Sequence, residues 1–424
     1  MTSSPVSTTT RPGRLRVRTV ALPEPVDLLS LLPRGPVTSW VHGDDGLVAW
    51  GEAATLAVTG QERFSRAHRW WSQLCDDAEI SDDVAVPGSG PVAFASFTFA
   101  RGPQSSCLIV PEVILGRRNG KSWLTLIGDA ADFRGGQPDL QLRPQPDPVA
   151  PGAVTEHPGS ITTEQWGASV EEALARIAGG GLDKVVLARD VLLTAESEID
   201  PRYLLRRLAT SYPDCWSFSV AGMVGATPEL LVRRTGAAVT SRVLAGTVHR
   251  DADSGRDGRL AEALLSSDKD LVEHLYAVQS VSAALATHCT NLTVPANPSL
   301  LQLANVQHLA TDVTGLLAED VSAIALAASL HPTAAVCGTP TEWAAAVIAE
   351  LEGMDRGRYA GPVGWVDANG DGEFGIALRC GQLTADARAI RLFAGCGIVA
   401  GSTAESELAE SESKLEAMRD ALGG

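Results

Sequence analysis

Three strand-like segments follow one another late in the chain, at residues 361–367, 373–380 and 389–399, with only short turns between them. Short connections of this kind join antiparallel strands, because parallel neighbours need a crossover of about a dozen residues or more. Helical periodicity precedes these strands over three longer stretches: 257–288, 317–330 and 340–356. Adjacent strands beside a group of helices predict an α+β fold in layers rather than a Rossmann-type alternation.

The first part of the chain differs in composition from the rest. Residues 1–14 are rich in Ser, Thr and Pro without apolar periodicity, which predicts a disordered arm. Residues 15–158 contain short apolar runs separated by turn residues, which predicts a strand-rich half. The proline-rich stretch 142–154 is the best candidate for a linker. We therefore expect a strand-rich N-terminal half and a second region over 159–424.

Capping residues mark the predicted starts of three helices. Thr162, followed three residues later by Gln165, predicts a capping box. Asp200 followed by Pro201 predicts an N-cap and the first residue of another helix. Ser402 is the predicted N-cap of the last helix, which runs almost to the C-terminus.

The net charge excludes several classes of partner. The chain carries 34 Lys and Arg against 51 Asp and Glu, a formal net charge of −17. Nucleic acid and anionic membrane surfaces require clustered basic residues, and the sequence has no such cluster. No stretch is apolar enough to span a membrane and the start lacks the apolar segment of a secretion signal, so we expect a cytoplasmic protein. The 7 cysteines lack a C-x-x-C pair, which indicates free thiols rather than disulfides or a zinc site.

Two predicted helices each carry acidic residues on one face. Asp270 and Glu273 are one helical turn apart on the first of them. On the last helix, Glu407, Glu410 and Lys414 share a face. Carboxylates from two helices would suit Mg²⁺, which takes oxygen ligands and keeps several waters. Each acidic face by itself is also compatible with a solvated surface.

Several further residues are ambiguous when taken singly. Lys184 lies in an otherwise apolar predicted strand and is either a surface lysine or a partly buried base. Glu229, after a turn, and His308, in an apolar segment, are equally open to structural roles. The glycine-rich turn at 394–399 leads into the last helix and could bind an anion through backbone N–H groups. Residues 367–372 imitate half of a calcium loop, but a leucine holds the position that requires Glu, so we predict a hairpin turn.

Taken in order, the motifs of the second region closely resemble those of the chorismate-utilising enzymes. This family includes isochorismate synthases, salicylate synthases, anthranilate synthases and aminodeoxychorismate synthases. The resemblance covers residues 159–424, the catalytic region, whereas the N-terminal half matches only loosely. It implies a large single α+β unit in which antiparallel sheets are flanked by helices. The motifs are KVVLAR (184–189), GATPELL (225–231), LAGT (244–247), SDKDLVEH (267–274), VQHL (306–309), LHPTAAVCG (330–338), RGRYAGPVGW (356–365), GIALR (375–379), AGCGIV (394–399) and ESELAESESK (405–414).

The resemblance implies a metal-dependent site for chorismate. Glu273 and Glu410 match the family's ligands of a Mg²⁺ ion on the ring carboxylate. Asp270 and Glu407 match carboxylates that act through water, and Lys414 matches a supporting lysine. A cation and basic side chains would also balance the charge of a dianionic substrate in an acidic protein.

The resemblance further implies which residues hold the rest of the substrate. Arg379 and Tyr359 match residues on the enolpyruvyl carboxylate, and His308 matches a positioning imidazole that faces the pyruvyl group. Small residues and backbone groups complete the predicted binding set: Gly246 and Thr247 beside the ring carboxylate, Gly395 and Gly397 as backbone donors, and Ala335.

Three positions bear on the reaction itself. Lys184 matches the water-activating base of isochorismate and salicylate synthases, which the ammonia-using anthranilate enzymes lack. Ala245 stands where aminodeoxychorismate synthases carry a nucleophilic lysine, so water is the expected nucleophile. Ala335 stands where isochorismate synthases commonly have Ala and lyase-type members commonly have Thr. We therefore expect a monomeric, Mg²⁺-dependent isochorismate synthase in which Lys184 deprotonates the water that attacks C2, while Glu229 protonates the departing C4 hydroxyl.

Two alternatives stay open on the sequence. A salicylate synthase would carry isochorismate on to salicylate and pyruvate in the same site. A partner-dependent aminating subunit would need a glutaminase, and Lys184 argues against that role. The sequence does not distinguish menaquinone biosynthesis from siderophore biosynthesis as the destination of the product.

Overall fold

The computed structural model describes residues 8–10, 14–129, 142–251 and 253–423. Within them the chain forms two large, largely antiparallel β-sheets with helices packed against them, which confirms the predicted α+β class. The strands are β1 (Thr8–Thr10), β2 (Leu15–Leu22), β3 (Val37–His42), β4 (Asp45–Trp50), β5 (Ala54–Val58), β6 (Glu79–Asp82), β7 (Val92–Ser96), β8 (Ser106–Val110), β9 (Val113–Arg118), β10 (Lys121–Asp129), β11 (Val154–Pro158), β12 (Lys184–Ala195), β13 (Trp216–Val220), β14 (Met223–Thr227), β15 (Leu230–Thr235), β16 (Ala238–His249), β17 (Cys289–Thr293), β18 (Ser299–Gln302), β19 (Val306–Leu317), β20 (Gly338–Thr339), β21 (Pro362–Asp367), β22 (Gly372–Ile376), β23 (Cys380–Leu383) and β24 (Ala389–Val399). The helices are α1 (Arg63–Asp77), α2 (Thr163–Ala178), α3 (Pro201–Ser211), α4 (Ser254–Ser266), α5 (Asp268–Ala286), α6 (Ala323–Leu330), α7 (Thr341–Leu351) and α8 (Ala404–Leu422), with a short 3₁₀ turn at Leu29–Leu31. In this part of the chain, none of the helices combines the length and the apolar character needed to cross a membrane.

Both sheets draw strands from both halves of the chain. In the first sheet the described strands run in the order β1-β5-β8-β7-β21-β22-β15-β16-β19-β17, with β18 beside β19. In the second the order is β11-β12-β24-β23-β14-β13-β3-β4-β9-β10-β2-β6, with β20 beside β12. Strand β7 of the N-terminal half pairs with β21, and β3 pairs with β13. The two halves are therefore interleaved, and neither sheet is complete without both.

Apolar side chains from the two sheets pack into one buried cluster. Trp40 and Phe218 of the second sheet and Phe94 and Phe374 of the first are each at most 1% exposed. Aromatic side chains of this size contribute much of the apolar area that folding removes from water. A second buried cluster forms where α3 and α8 pack on the second sheet. The rigid frame for the functional residues is thus set by packing on both faces of that sheet.

Two long strand pairs and two helices position the acidic and basic residues singled out in the sequence. Strand β12 pairs with β24 from Lys184 opposite Val399 to Thr194 opposite Ala389. Strand β16 pairs with β19 over a similar length in the other sheet. Helix α5 packs against β16, and α8 packs against β24. The two acidic helices therefore flank the strand pairs that carry six other predicted site residues: Lys184, Gly246, Thr247, His308, Gly395 and Gly397.

Two predicted helix starts are confirmed. Thr162 and Gln165 form the predicted capping box of α2. Asp200 caps α3, and Pro201 is the first residue of that helix. In both cases a side-chain oxygen accepts from a backbone N–H group that the first helical turn leaves without an intrahelical partner.

The predicted cap of the last helix is wrong by one residue. Thr403, and not Ser402, is the N-cap of α8, and Thr403 Oγ1 accepts from Ser406 N at 3.2 Å. Ser402 has a different partner, because its Oγ accepts from Val399 N at 3.2 Å. Two neighbouring hydroxyl residues make such a cap ambiguous in a sequence, since either can satisfy the first turn.

Other predicted boundaries also differ from the structure. The helix predicted over 257–288 is two helices, α4 and α5, because Ser267 caps α5 by accepting from Asp270 N. The strand predicted over 373–380 ends early as β22, and β23 begins after Arg379, whose φ is 47°. The two other predicted helices are shorter than expected, as α6 and α7.

The predicted disordered arm, residues 1–14, lies mostly outside the described residues. Its described part includes Thr8–Thr10, which forms β1 antiparallel to β5. Threonine is β-branched and favours strands, and the edge of a sheet offers unpaired backbone groups. The disordered arm over residues 1–14 stays a prediction, with Thr8–Thr10 as a described strand within it.

Candidate active site

Most residues singled out in the sequence converge on one cavity. Strands β16, β19 and β24, the loop before β20, and helices α5 and α8 contribute to its wall. The predicted site residues that line it are Glu229, Gly246, Thr247, Glu273, His308, Ala335, Tyr359, Arg379, Gly395, Gly397, Glu410 and Lys414. The remaining ones, Lys184, Asp270 and Glu407, do not line the cavity, but each lies within one turn or two strand positions of a residue that does.

Lys184 is fully buried at the start of β12, and its side chain reaches the cavity wall. Its Nζ lies 2.9 Å from Glu273 Oε1 and forms an ion pair with it. The angles of this contact are not those of a hydrogen bond. Burial alone would raise the pKa of Glu273, but the contact with Lys184 acts together with the charges of Lys414 and Lys269 and lowers it. Gly397 makes this contact possible, because a Cβ at that position would lie 2.2 Å from Glu273 Oε1.

Glu229 lies between β14 and β15 and is 4% exposed. Burial raises the pKa of its carboxyl group to about 8, although the charges of Lys184, Lys414 and Arg379 act in the opposite direction. At neutral pH the group is therefore mostly protonated. This is the state that a general acid must have before the reaction.

A β-bulge at Gly246 brings Thr247 opposite His308. The register of β16 on β19 shifts between Ala245 and Thr247, and Gly246 has a φ of 78°, which favours glycine. Thr247 Oγ1 lies 3.0 Å from His308 Nδ1, and Arg379 Nη2 lies 3.2 Å from Nε2. Because a guanidinium only donates, Nε2 accepts and the imidazole proton is on Nδ1. Burial and the Arg379 charge hold the pKa of His308 well below its usual value, so the ring is neutral.

The predicted glycine-rich turn at 394–399 is the end of strand β24, and Tyr359 and Lys414 both contact its Gly395. The Tyr359 ring stacks on Phe393 with 5.0 Å between centroids, and a Cβ at Gly395 would lie 3.1 Å from its hydroxyl oxygen. Lys414 Nζ donates to Gly395 O at 2.9 Å and forms an ion pair with Glu410. Burial alone would lower the pKa of Lys414, but the groups around it, Glu410 foremost, together outweigh burial and raise that pKa. This lysine therefore remains a cation in the cavity wall.

Two carboxylates of α8 lie close together beside the cavity. Glu407 and Glu410 place oxygen atoms within 4.8 Å of each other and of Cys396 Sγ. Lys269 of α5 donates to Glu407 Oε1 at 3.2 Å and so joins the two helices, while Asp270 follows it on α5. The Cys396 thiol donates to Glu407 O at 3.1 Å and burial raises its pKa, which leaves carboxylate oxygens as the available ligands. A donor set of this kind fits a hard divalent cation such as Mg²⁺.

Comparison with known proteins identifies the family. A family model for chorismate binding enzymes matches residues 38–423. The chain belongs to this family. Isochorismate synthase DhbC of Bacillus subtilis is 43% identical over 272 residues, which are 61% of this chain and 68% of that protein. The salicylate biosynthesis isochorismate synthase of Pseudomonas aeruginosa is 36% identical over 416 residues, 91% of this chain and 85% of that protein.

A solved structure agrees with the family assignment. The menaquinone-specific isochorismate synthase MenF of Escherichia coli matches this chain with a TM-score of 0.77 and 25% identity. The match covers 97% of this chain and 95% of MenF. The resemblance predicted from the motifs is confirmed, and it reaches further into the N-terminal half than the motifs indicated.

Sequence analysis missed several residues in and beside the cavity. Arg356 and Phe393 line it, and Lys269 contacts Glu407 from the neighbouring helix. A signal existed for Arg356 and Lys269, because each lies inside a motif that carried the resemblance. Phe393 lies two residues before Gly395 on β24, and nothing in the sequence indicates that its ring would stack on Tyr359.

Proposed function

We propose that the chain is an isochorismate synthase, which converts chorismate to isochorismate. The observation that carries the proposal is a buried lysine and a buried carboxylic acid at one cavity. Lys184 contacts the cavity-lining Glu273, and Glu229 lines the cavity with its pKa raised to about 8. Adding water at one carbon and removing a hydroxyl at another requires a base and an acid in opposite protonation states. Two relatives named isochorismate synthase match this chain over most of their own length, and they support the same activity.

Lys184 and Glu229 divide the proton transfers between them. Lys184 takes a proton from a water molecule whose oxygen forms the new bond to ring C2. The ring double bonds shift, and the C4–O bond breaks. Glu229 gives its proton to the departing hydroxyl, which leaves as water. One proton is taken and one is given, so the net charge of the site is unchanged over the reaction.

Cationic and neutral donors would hold the carboxylates of chorismate. Arg379 and Tyr359 are assigned to the enolpyruvyl carboxylate, with the backbone N–H groups of Gly395 and Gly397 beside it. Thr247 and Gly246 are assigned to the ring carboxylate. The neutral imidazole of His308, held between Thr247 and Arg379, positions the pyruvyl group. Lys414 lies in the cavity wall, contacts Gly395 O and Glu410, and is assigned a supporting role.

We assign a Mg²⁺ ion to the carboxylates of α5 and α8. Glu273 and Glu410 are the proposed direct ligands, and Asp270 and Glu407 the proposed partners through water. The observations behind this assignment are the closely spaced carboxylates of Glu407 and Glu410 and the place of Glu273 and Glu410 in the cavity wall, with the Cys396 thiol already donating to a backbone carbonyl. When bound, the ion would fix the ring carboxylate and compensate its charge while the double bonds shift.

The choice of reaction within the family depends on two alanines and a lysine. Lys184 supplies a base for water, and Ala245 provides no nucleophile for an amination route. Ala335 lines the cavity without a hydroxyl that would restrict the bound enolpyruvyl group, which favours release of isochorismate over elimination of pyruvate. Relatives with this activity are named for menaquinone and for salicylate biosynthesis, so the activity is compatible with either destination.

Product analysis of the purified chain with chorismate and Mg²⁺ tests the proposal. We expect isochorismate as the main product by chromatography, without ammonia or a partner protein, and loss of turnover with a chelator. Salicylate and pyruvate as main products would make the protein a salicylate synthase. Turnover that requires ammonium and yields an aminated product would overturn the assignment of water as nucleophile.

A further inference from the structure

The loop between α6 and β20 brings Ala335 and Val336 to the cavity. The N–H groups of Val336 and Cys337 both donate to Thr333 O, at 3.2 and 3.0 Å, and close the loop on itself. At its far end Cys337 O accepts from Val186 N at 2.8 Å, which joins the loop to β12. Any shift of the loop therefore moves Ala335 relative to the strand that carries the proposed base.

Arg356 ties the same loop to β12 a second time. Its guanidinium donates through Nη1 to Val336 O and through Nη2 to Val186 O, both at 2.8 Å. The N–H groups of a guanidinium lie in a rigid planar fork, so these two carbonyl groups keep a fixed separation. All three residues line the cavity, which places this link in the wall of the site.

Glu352 holds the guanidinium from the other side. Its carboxylate accepts from Arg356 Nε and from Nη2, each at 2.7 Å. Glu352 is 1% exposed and Arg356 is 4% exposed. Removing one member of a buried ion pair is costly because the other charge is left without compensation, whereas removing both is often tolerated. An experiment on Arg356 must therefore treat the pair as a unit.

The N-terminal half contacts both the guanidinium and the loop. The Phe99 ring centroid lies 4.2 Å from Arg356 Cζ, in a cation–π contact. Phe99 O accepts from His331 Nε2 at 3.0 Å, at the start of the loop. Phe99 follows β7, the N-terminal strand that pairs with β21. The first half of the chain thus supports the position of Ala335 without lining the cavity near it.

We propose that Arg356 is a positioning residue, which holds the Ala335–Val336 loop at a fixed distance from β12 and so aligns bound substrate with Lys184. The kinetic consequence of this inference rests on the proposed function. Arg356 acts through backbone carbonyl groups and not on the reacting atoms. Orientation of this kind is worth much to a reaction, since a displacement of about 1 Å can cost about 10²-fold in rate.

The substitution Arg356→Lys tests the inference, because it keeps a positive charge beside Glu352 but loses the fork. We expect kcat to fall about 10²-fold with little change in KM, and the amides of residues 331–338 to exchange faster with deuterium. Arg234→Lys is the matched control, since Arg234 is also buried and donates to two backbone carbonyl groups, away from the cavity. The control should keep the wild-type kcat and the wild-type exchange of the loop.

A double variant keeps the test valid if Arg356→Lys does not fold. Glu352→Gln together with Arg356→Met removes both buried charges, so we expect a folded protein with low kcat and fast exchange of the loop. Wild-type kcat and loop exchange in either folded variant would overturn the inference, as would an equal loss of kcat in Arg234→Lys. Deuterium exchange does not depend on the reaction. A wild-type chain that makes no isochorismate would therefore overturn the proposed function, while the exchange data still decide on Arg356.

Discussion

Burial is what makes Glu229 suitable as a proton donor. A glutamic acid in water has a pKa of about 4.3 and is ionised at neutral pH. Burial raises the pKa of Glu229 to about 8. Because the proposed acid must be protonated, we expect kcat to fall as the pH rises through about 8, measured at saturating chorismate and Mg²⁺.

Glu229→Gln is the control for this pH dependence. An amide cannot give up a proton to the C4 hydroxyl, so the variant should be slow at every pH and lack the fall near pH 8. The free energy of unfolding should also fall as the pH rises. The stabilisation that comes from the raised pKa of Glu229 is complete below the pKa that this carboxyl group has in the unfolded chain, and it is lost as the pH rises through about 8. A wild-type kcat that does not change between about pH 7 and about pH 9 would contradict the assigned role.

Lys184 is expected to act on water and not on the carboxylates of the substrate. Lys184→Ala should lower kcat by a factor of about 10² to 10⁴, the usual range for loss of a general base. KM for chorismate should change far less, because Arg379 and Lys414 remain in place. Steady-state kinetics at saturating Mg²⁺ measures both constants, with exposed Lys121→Ala as the control. If more than about a tenth of the rate survives, Lys184 serves only as the ion-pair partner of Glu273.

At the residue scale, the sequence could identify the site residues only through the order of the motifs. Taken singly, Lys184, Glu229 and His308 stayed ambiguous, because their roles depend on burial and burial depends on distant segments. The neutral tautomer of His308 follows from its contacts with Thr247 and with a guanidinium, which no spacing in the sequence encodes. The contacts of the Arg356 guanidinium with Val336 O and Val186 O could not be predicted from the sequence for the same reason.

Among the elements, α8 begins with a cap that bears directly on the proposed metal site. Thr403→Ala removes the side chain that accepts from Ser406 N, and should lower the free energy of unfolding by about 1 kcal/mol. The first turn of α8 carries Glu407, so we also expect weaker binding of Mg²⁺. Thermal or chemical unfolding and a Mg²⁺ titration measure the two effects.

The capping box of α2 offers a matched control for that substitution. Thr162→Ala removes the same kind of hydrogen bond, from Gln165 N, but α2 carries no proposed ligand. We expect a similar loss of stability with unchanged affinity for Mg²⁺. Equal Mg²⁺ affinities in the two variants would indicate that the start of α8 does not govern the position of the acidic residues.

The ends of helices and strands could be predicted where the sequence shows a clear capping residue. They could not be predicted where the backbone conformation of a single residue ends the element. Apolar periodicity continues from α4 into α5, and a single residue with an extended backbone, Ser267, separates the two helices. The break between β22 and β23 coincides with the positive φ of Arg379, a conformation that non-glycine residues seldom adopt. Such conformations are held by surrounding contacts and cluster at functional sites, which a pattern of apolar residues does not reveal.

For the whole molecule, the late antiparallel strands predicted the α+β class, but they could not predict how the halves interleave. The pairing of β7 with β21, and of β3 with β13, joins segments that are far apart in the chain. The N-terminal half also lacks clear motifs, so nothing in the sequence indicates which of its strands join each sheet. Local patterns specify elements, whereas pairings of this kind depend on packing across the whole chain.

The interleaved sheets predict that residues 159–424 do not fold on their own. Without the N-terminal half, β21 loses β7, β13 loses β3, and β12 loses β11. Trp365 of β21 and Phe218 of β13, each at most 1% exposed in the whole chain, would lose part of their cover. New strand edges and exposed aromatic side chains favour aggregation over folding.

Expression of the fragment tests this prediction by solubility, near-ultraviolet circular dichroism and turnover of chorismate. We expect an insoluble or unfolded fragment without activity. Co-expression of residues 1–158 with 159–424 is the control, because it restores every strand pair and breaks only the chain after the proline-rich stretch. Activity should return in that pair, since loss of one connection costs far less than loss of three strand pairings. A soluble fragment with a fixed aromatic spectrum and turnover would mean that the catalytic region is an independent domain, and that the strands of the N-terminal half merely extend its sheets.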